Sequence, residues 1–489
     1  MLSLWCPPAD LRSRLGPSKI SQLNRNIWIN TAHGAISVAA ANLVQPFTGI
    51  FAVRIGATNF QVALLSSLPA VMSLLAMIPV ARMVDRFPTK KRITGLLMLA
   101  NRVFWLAMAA VPFVTPDRRA WLLVAVVAIM NLPGSASIVA WQSLIARVIP
   151  PDRRAAAFAA RSRLMQVVGT VMVLIAGRFL DIVRYPVGYQ IVFATAFVLG
   201  MAEIWVFSKI SEGTTADTTK GRAGAIASAG AGAAGGPAGS TTGAAPASAP
   251  ASAPASGPAP ATEHGHGRPG MLAAAAESIR EIRAEKRFVR FVVASFLFYF
   301  MWQASWPVLT LGQVKHFGAN NFWISMVNLM ATIGSLFGWY IWARLAERKG
   351  NLWALAMSST GIFLVPVAYA FSRNIQQVAL SSLVTEGFFS GLNLCLLNYL
   401  LEVAPEGKRT SFIAYHTTIA NISAMLAPIA GVAILSELGW FWSFLTLAGI
   451  RLAGAGVLHV LRRIEAQETS GASAARTHAG GVAAAGTQT

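Results

Sequence analysis

Ala81-Arg82-Met83-Val84-Asp85-Arg86-Phe87-Pro88-Thr89-Lys90-Lys91-Arg92 is a charged hinge between two long apolar runs, and the chain repeats it. The second copy is Ala343-Arg344-Leu345-Ala346-Glu347-Arg348-Lys349-Gly350, 262 residues later. At that offset residues 55–86 stay in gapless register with 317–348, with identities at Gly56, Ala57, Asn59, Phe60, Ser73, Leu74, Ala81, Arg82 and Arg86. Self-similarity at a fixed offset marks a duplication, so the chain reads as two related halves.

Composition says where the halves reside. A chain of 489 residues that is 55% hydrophobic and 12% charged has too many apolar side chains for one or two aqueous cores, and it belongs in a bilayer. The formal charge of +21 raises the question of a nucleic-acid partner, and the placement of the 40 Lys and Arg answers it. Arg54, Arg118, Arg119, Arg184, Lys315 and Arg373 lie in one set of loops, and Arg102, Arg161, Arg163, Arg178 and Arg451 lie within apolar segments. The rest fall in the tails, the centre of the chain and the alternate loops. That alternation follows the positive-inside rule for a multi-pass protein with both termini cytoplasmic, and it excludes a nucleic-acid reading. Cys6 and Cys395 imply no disulfide framework, and the opening residues lack the pattern of a removable signal peptide.

About 20 mostly apolar residues cross a bilayer as a helix. Twelve such runs are expected: 27–53, 59–80, 93–114, 120–145, 158–180 and 187–209 in the first half, then 289–313, 321–342, 352–372, 376–402, 411–436 and 439–461. They are called spans 1 to 12 below. The expected organisation is a cytoplasmic tail (1–26), a six-helix bundle (27–209), a disordered Ala/Gly/Pro/Ser linker (210–270), a juxtamembrane amphipathic helix (271–288), a second bundle (289–461) and a disordered tail (462–489). Gly230-Ala231-Gly232-Ala233-Ala234-Gly235 satisfies a dinucleotide-binding pattern, but it sits in the linker with no preceding strand. No cofactor or metal site is expected.

The hinge resembles the signature between helices 2 and 3 of the major facilitator superfamily, written Gly-x-Leu-x-Asp-Arg-x-Gly-Arg-Lys. Asp85, Arg86 and Lys90-Lys91-Arg92 match it, while Ala81 and Pro88 stand where the glycines would be; in the second copy Glu347, Arg348 and Gly350 match, with Ala343 again at the small position. A second repeat, Pro151 to Phe158 against Pro405 to Phe412, falls at the loops between spans 4 and 5 and spans 10 and 11. The resemblance implies an all-α integral membrane protein with 12 helices in two pseudo-symmetric bundles. It also implies a gating latch at each hinge: Asp85 against the start of span 11 near Ser411, and Glu347 against span 5 near Phe158. A carboxylate at a helix N-terminus is favoured by unpaired amides and the dipole. Both latches would hold the outward-open state and break on inward opening. Span 5 lacks the Pro of the motif that many proton-coupled antiporters of this superfamily carry, which weakens that reading.

In this fold spans 1, 4, 7 and 10 line the central cavity. Their mid-depth polar residues are Asn42 and Gln45, Asn131, Trp302, Gln303 and Trp306, and Glu386 and Asn393. These are the substrate-cavity candidates, against the alternative that they bond only to neighbouring helices. Glu386 also suits proton or cation coupling, with Arg451 as the alternative structural partner. Arg102 and Glu203 read as a structural pair within the first half. Arg178 and Asp181, three apart on one face, are expected to pair with each other. The Gly334/Gly338 and Gly387/Gly391 spacings permit close helix contact. The function these features imply is gradient-driven secondary transport of a small solute by a monomer in the cell membrane. The alternative is a transporter-like sensor that binds solute without cycling.

Overall fold

The computed structural model describes residues 17–86, 90–149, 151–211, 280, 283, 285–405 and 409–485; side chains are described for these except at 17–20, 76–86, 90, 146, 147, 151, 152, 154–156, 409–411 and 469–485. Linker residues 212–270 and most of the amphipathic segment 271–288 lie outside the described residues.

Every element among the described residues is helical. The first half contributes Pro17–Arg54, Asn59–Arg86, Lys90–Ala110, Pro116–Val148, Pro151–Ile182 and Val187–Phe207, which are spans 1 to 6. Span 7 is Lys286–Gln303 continued by Ser305–Leu311, and span 8 is Asn321–Lys349. Span 9 is Asn351–Gly361 continued by Leu364–Phe371, and span 10 is Ile375–Val403. Spans 11 and 12 share the run Arg409–Ala485, broken at Gly439, whose φ of 68° and ψ of −176° only glycine adopts readily. Among the described residues, ten helices are long and apolar enough to cross a membrane; one of them, Phe412–Glu468, carries that break, and Asn59–Leu75 is a shorter apolar helix.

Where a disordered tail from 462 is expected, the helix instead continues to Ala485. The tail sequence is rich in Ala, the residue with the strongest helix preference. Its first turns are held by Arg287, whose Nε donates to Glu465 Oε2 (2.5 Å), and by Arg290, whose two terminal nitrogens fork onto Glu468 (2.5 and 2.7 Å). Span 1 likewise begins ten residues earlier than expected, and Gln22 and Asn26 tie its start to Ser211 after span 6.

The duplication governs the packing. Span 1 packs on 5 and 6, span 2 on 4, and span 3 on 4 and 6; span 7 packs on 11 and 12, span 8 on 10, and span 9 on 10 and 12. Each pairing in one half recurs in the other. Gly56 and Gly318, equivalent in the repeat, both have positive φ (91° and 62°) and turn the chain into spans 2 and 8. Large apolar side chains stand exposed around the outside, among them Leu96, Ile175, Val198, Trp205, Phe337 and Trp442. An aqueous protein would bury such a belt, and a bilayer solvates it.

The halves meet through span 2 against the run that carries spans 11 and 12, and through span 5 against span 8. One buried cluster draws on both halves, from Phe47 and Phe51 through Val173 and Tyr189 to Val308, Val432 and Phe444. It lies toward the face of residues 55–58, 183–186 and 317–320, here the distal face. Toward the other face, which carries the hinges, the buried residues separate into a first-half cluster with Ile29, Trp141, Leu144 and Phe207 and a second-half cluster with Phe288, Phe291, Tyr399 and Phe412. Among the described side chains, the two bundles therefore share a core at the distal face, and the buried clusters nearer the hinge face each belong to one half.

Candidate functional site

Span 7 is interrupted at Ala304 and span 9 at Ile362–Phe363, each one turn before a proline, Pro307 and Pro366. Proline has no N–H to donate and its ring displaces the carbonyl four residues back, so acceptors near each break need other donors. Arg451 of span 12 adds donors at both breaks, beside the Val365 N–H that the Ile362 carbonyl also accepts. Its Nη2 donates to the Trp302 carbonyl (3.3 Å), its Nη1 to the Ile362 carbonyl (3.2 Å) and its Nε to Ser305 Oγ (2.9 Å). Arg451 is 2% exposed and ties spans 7, 9 and 12 together.

Beside it a cavity opens inside the second half. Its lining includes Trp302, Trp306, Tyr369, Thr385, Glu386 and Arg451. Trp302 meets Trp306 edge to face (centroids 5.7 Å) and tilts on Phe389 (5.3 Å). The Trp306 indole N–H is buried without a hydrogen-bond partner, leaving a donor for an occupant. Glu386 is 5% exposed. Glu386 and Arg451 thus line one cavity, while the hydrogen bonds of Arg451 go to a hydroxyl and two carbonyls.

The remaining cavity candidates are dispersed. Asn42 lies against Gly169 of span 5, where a Cβ would meet its amide nitrogen at 2.5 Å. Gln45 is partly exposed beside buried Pro46, and Gln303 is buried. Asn131 and Asn393, equivalent at the 262-residue offset, each turn their amide back onto their own helix, to the carbonyls of Val127 (2.7 Å) and Phe389 (3.2 Å). Of the hinge residues, Ala81, Asp85, Arg86 and Lys90 have side chains outside the described residues, Lys91 is partly exposed and Arg92 is exposed. Glu347 and Arg348 are exposed, and Phe158, the expected neighbour of Glu347, packs edge to face on Trp141 (5.8 Å). Gly350, with φ of 86°, ends span 8 beyond the partly buried Ala343.

In the first half the structure brings Arg102 and Glu203 together. Arg102 Nε and Nη2 reach Glu203 Oε2 at 2.9 and 2.8 Å, and Nη1 reaches Asn101 Oδ1 at 2.8 Å. His33 Nε2 lies 3.2 Å from the other Glu203 oxygen. This network joins spans 1, 3 and 6 at 1% exposure of the carboxylate.

Asp181 departs from its expected pairing with Arg178, which is exposed. Its carboxylate instead accepts the backbone N–H groups of Asn321 and Phe322 (3.0 and 2.9 Å) and the Asn321 amide (2.9 Å), capping span 8 across the two halves. Free amides and dipole at a helix start outcompete a solvated arginine. Tyr189 donates to Asn321 Oδ1 (2.6 Å) and Ser325 to the Val173 carbonyl (2.9 Å). The repeat-equivalent Asn59 also bonds across the halves, accepting from Lys315 Nζ at 2.8 Å. Sequence reasoning missed this distal clasp, although the duplicated asparagine, identical at both span starts, was its signal.

Two matched helical bundles with an apolar outer belt and buried polar groups inside define a duplicated polytopic membrane protein of transporter architecture. A sequence profile of the Major Facilitator Superfamily matches residues 33–276 and 291–485, and the chain belongs to that superfamily of transporters. Three uncharacterized transporters of Schizosaccharomyces pombe are each 28% identical over 155 residues, 29% of this chain and 30% of their own length. The crystal structure of the nucleoside transporter NupG superposes with a TM-score of 0.62 at 10% identity, covering 89% of this chain and 98% of that one. That of the human organic anion transporter MFSD10 gives 0.51 at 11% identity, covering 91% and 100%. At these identities the solved structures speak to the fold.

Proposed function

We propose that this protein is a secondary transporter that carries a small solute across the cell membrane by alternating access, its two bundles rocking about a mid-membrane site. Twelve crossings, the hinge face and both termini in the cytoplasm, and action as a monomer complete the reading. The observation that carries it is the join of the halves at the distal face, where one shared core is closed by a hydrogen-bonded clasp. A face closed by hydrogen bonds between two bundles is one that a carrier can open and close again. Exposed Glu347 leaves its carboxylate accessible for a second latch. Solute would enter between Asn42 and Gln45 on one side and the cavity of Trp302, Trp306 and Glu386 on the other, with Glu386 as the group that exchanges a proton or cation.

The test is counterflow in proteoliposomes: vesicles loaded with unlabelled solute and diluted into labelled solute, across a panel and with or without a pH gradient. Transient accumulation of at least one solute is expected. Saturable binding of a panel solute without exchange would favour the sensor reading. For the hinge, Asp85→Asn is expected to raise the reactivity of cysteines placed toward the hinge face, and unchanged labelling would count against a latch there.

A further inference from the structure

Between spans 1, 4 and 5, away from the second-half cavity, lies a group of side chains whose hydrogen-bonding atoms the contacts above do not use. Arg161 of span 5 rests on Gly34 of span 1 so closely that a Cβ there would collide with its guanidinium. Its Cζ lies 4.3 Å from the centroid of the Trp141 ring. Its Nε is buried without a hydrogen-bond partner. Asn30, one turn before Gly34 on the same face of span 1, is fully buried with both amide atoms unpartnered. Trp141 Nε1 and Gln142 Oε1 are likewise buried and unpartnered.

The acid of this region is already engaged. Glu203 is held by Arg102 at 2.8 and 2.9 Å and by His33 at 3.2 Å, whereas no carboxylate among the described residues lies within ion-pair distance of Arg161. Two guanidinium groups face one carboxylate, and one positive charge is left over. Stacking on Trp141 helps a cation but offers nothing to its N–H donors. Arg161 is only partly exposed and its Nε–H has no acceptor, so it would be better replaced by an apolar residue if packing were its only task. A planar fork of donors with an indole N–H and an amide alongside matches a carboxylate.

We propose that Arg161, assisted by Trp141 and Asn30, binds the carboxylate of the transported solute, so that the substrates are small organic monoanions. The inference rests on the transporter reading and adds the substrate class to it.

The test uses the purified full-length protein with benzoate, benzamide and benzylamine, which share one ring and differ in charge. Benzoate is expected to raise the unfolding midpoint of the wild type while the other two leave it in place. Arg161→Gln should raise the midpoint without any probe, because it removes an unpaired charge, and should abolish the benzoate shift; Arg161→Lys, which keeps the charge but not the fork, should show a reduced shift. A fall in the probe-free midpoint of Arg161→Gln, an equal benzoate shift in that variant, an equal shift with benzamide, or no shift of the wild type with benzoate would each overturn the proposal. Counterflow separates the two claims. A benzoate shift that needs Arg161, without counterflow of labelled benzoate, keeps the site and sinks the transporter reading. Counterflow of a neutral or cationic solute that Arg161→Gln leaves unchanged does the reverse.

Discussion

Asp181→Ala should unlock the distal face. The carboxylate accepts three hydrogen bonds across the halves, at 3.0, 2.9 and 2.9 Å, two of them from the backbone at the start of span 8. Hydrogen bonds to a charged group contribute about 1.5 kcal/mol each at the low end. Opening lets water replace part of that, so roughly 2 kcal/mol of the total of about 4.5 kcal/mol is assigned to the closed state. The alanine variant should then populate the distally open state roughly 30-fold more. Ala319, 5% exposed beside the clasp, reports this when changed to cysteine in a background lacking Cys6 and Cys395. Its maleimide labelling rate in purified protein should rise by a similar factor, with Asp181→Asn in between because it keeps an acceptor but loses the charge. A rate within about twofold of the parent would refute the claim that this carboxylate holds the face shut.

Glu203→Gln strands the Arg102 guanidinium in the first-half core and should destabilise the protein by about 3–5 kcal/mol, with part recovered on adding Arg102→Gln; additive losses in a double-mutant cycle would deny the pair its coupling. Arg451→Met removes three hydrogen bonds, to Ser305 and to the carbonyls of Trp302 and Ile362, at about 1 kcal/mol each, seen as a lowered unfolding midpoint, and an unchanged midpoint would mean that water substitutes. Gly338→Leu should cost at least about 1–3 kcal/mol, because even its Cβ would press on the Gly387 backbone of span 10, and wild-type stability would show that spans 8 and 10 have slack. Glu386→Gln should remove the effect of a pH gradient on uptake while counterflow persists; an intact response would take Glu386 out of coupling.

The halves were legible because duplication leaves its mark in residue identity: Gly56 with Gly318 and Asn59 with Asn321 recur at one offset, the glycines as turns of positive φ and the asparagines as bonds across the halves, each with its own partner. Apolar run length placed the helices, since a bilayer imposes a minimum span whatever the neighbours. The paired glycines also read correctly as helix contacts, for Gly334 and Gly338 face the backbone of span 10 within the same chain. What failed was partner choice. Spacing placed Asp181 beside Arg178 on one helix, but the amides that claim it belong to a helix 140 residues away. Arg451 presented the same difficulty: nothing local reveals that two proline breaks elsewhere leave carbonyls for it to satisfy. Asn131 and Asn393 show the opposite case, polar residues at mid-depth whose amides are absorbed by their own helices.

Alternating access requires the two faces to move in opposition, and paired distances measure this directly. Spin labels placed across spans 5 and 8 at the distal face, and in a second protein across the hinge-face ends of spans 4 and 10, should respond to Asp181→Ala in opposite senses, the distal distance growing as the hinge-face distance shrinks. Distances that lengthen together, or that stay fixed at the hinge face while the distal face opens, would describe a bundle that loosens without transporting.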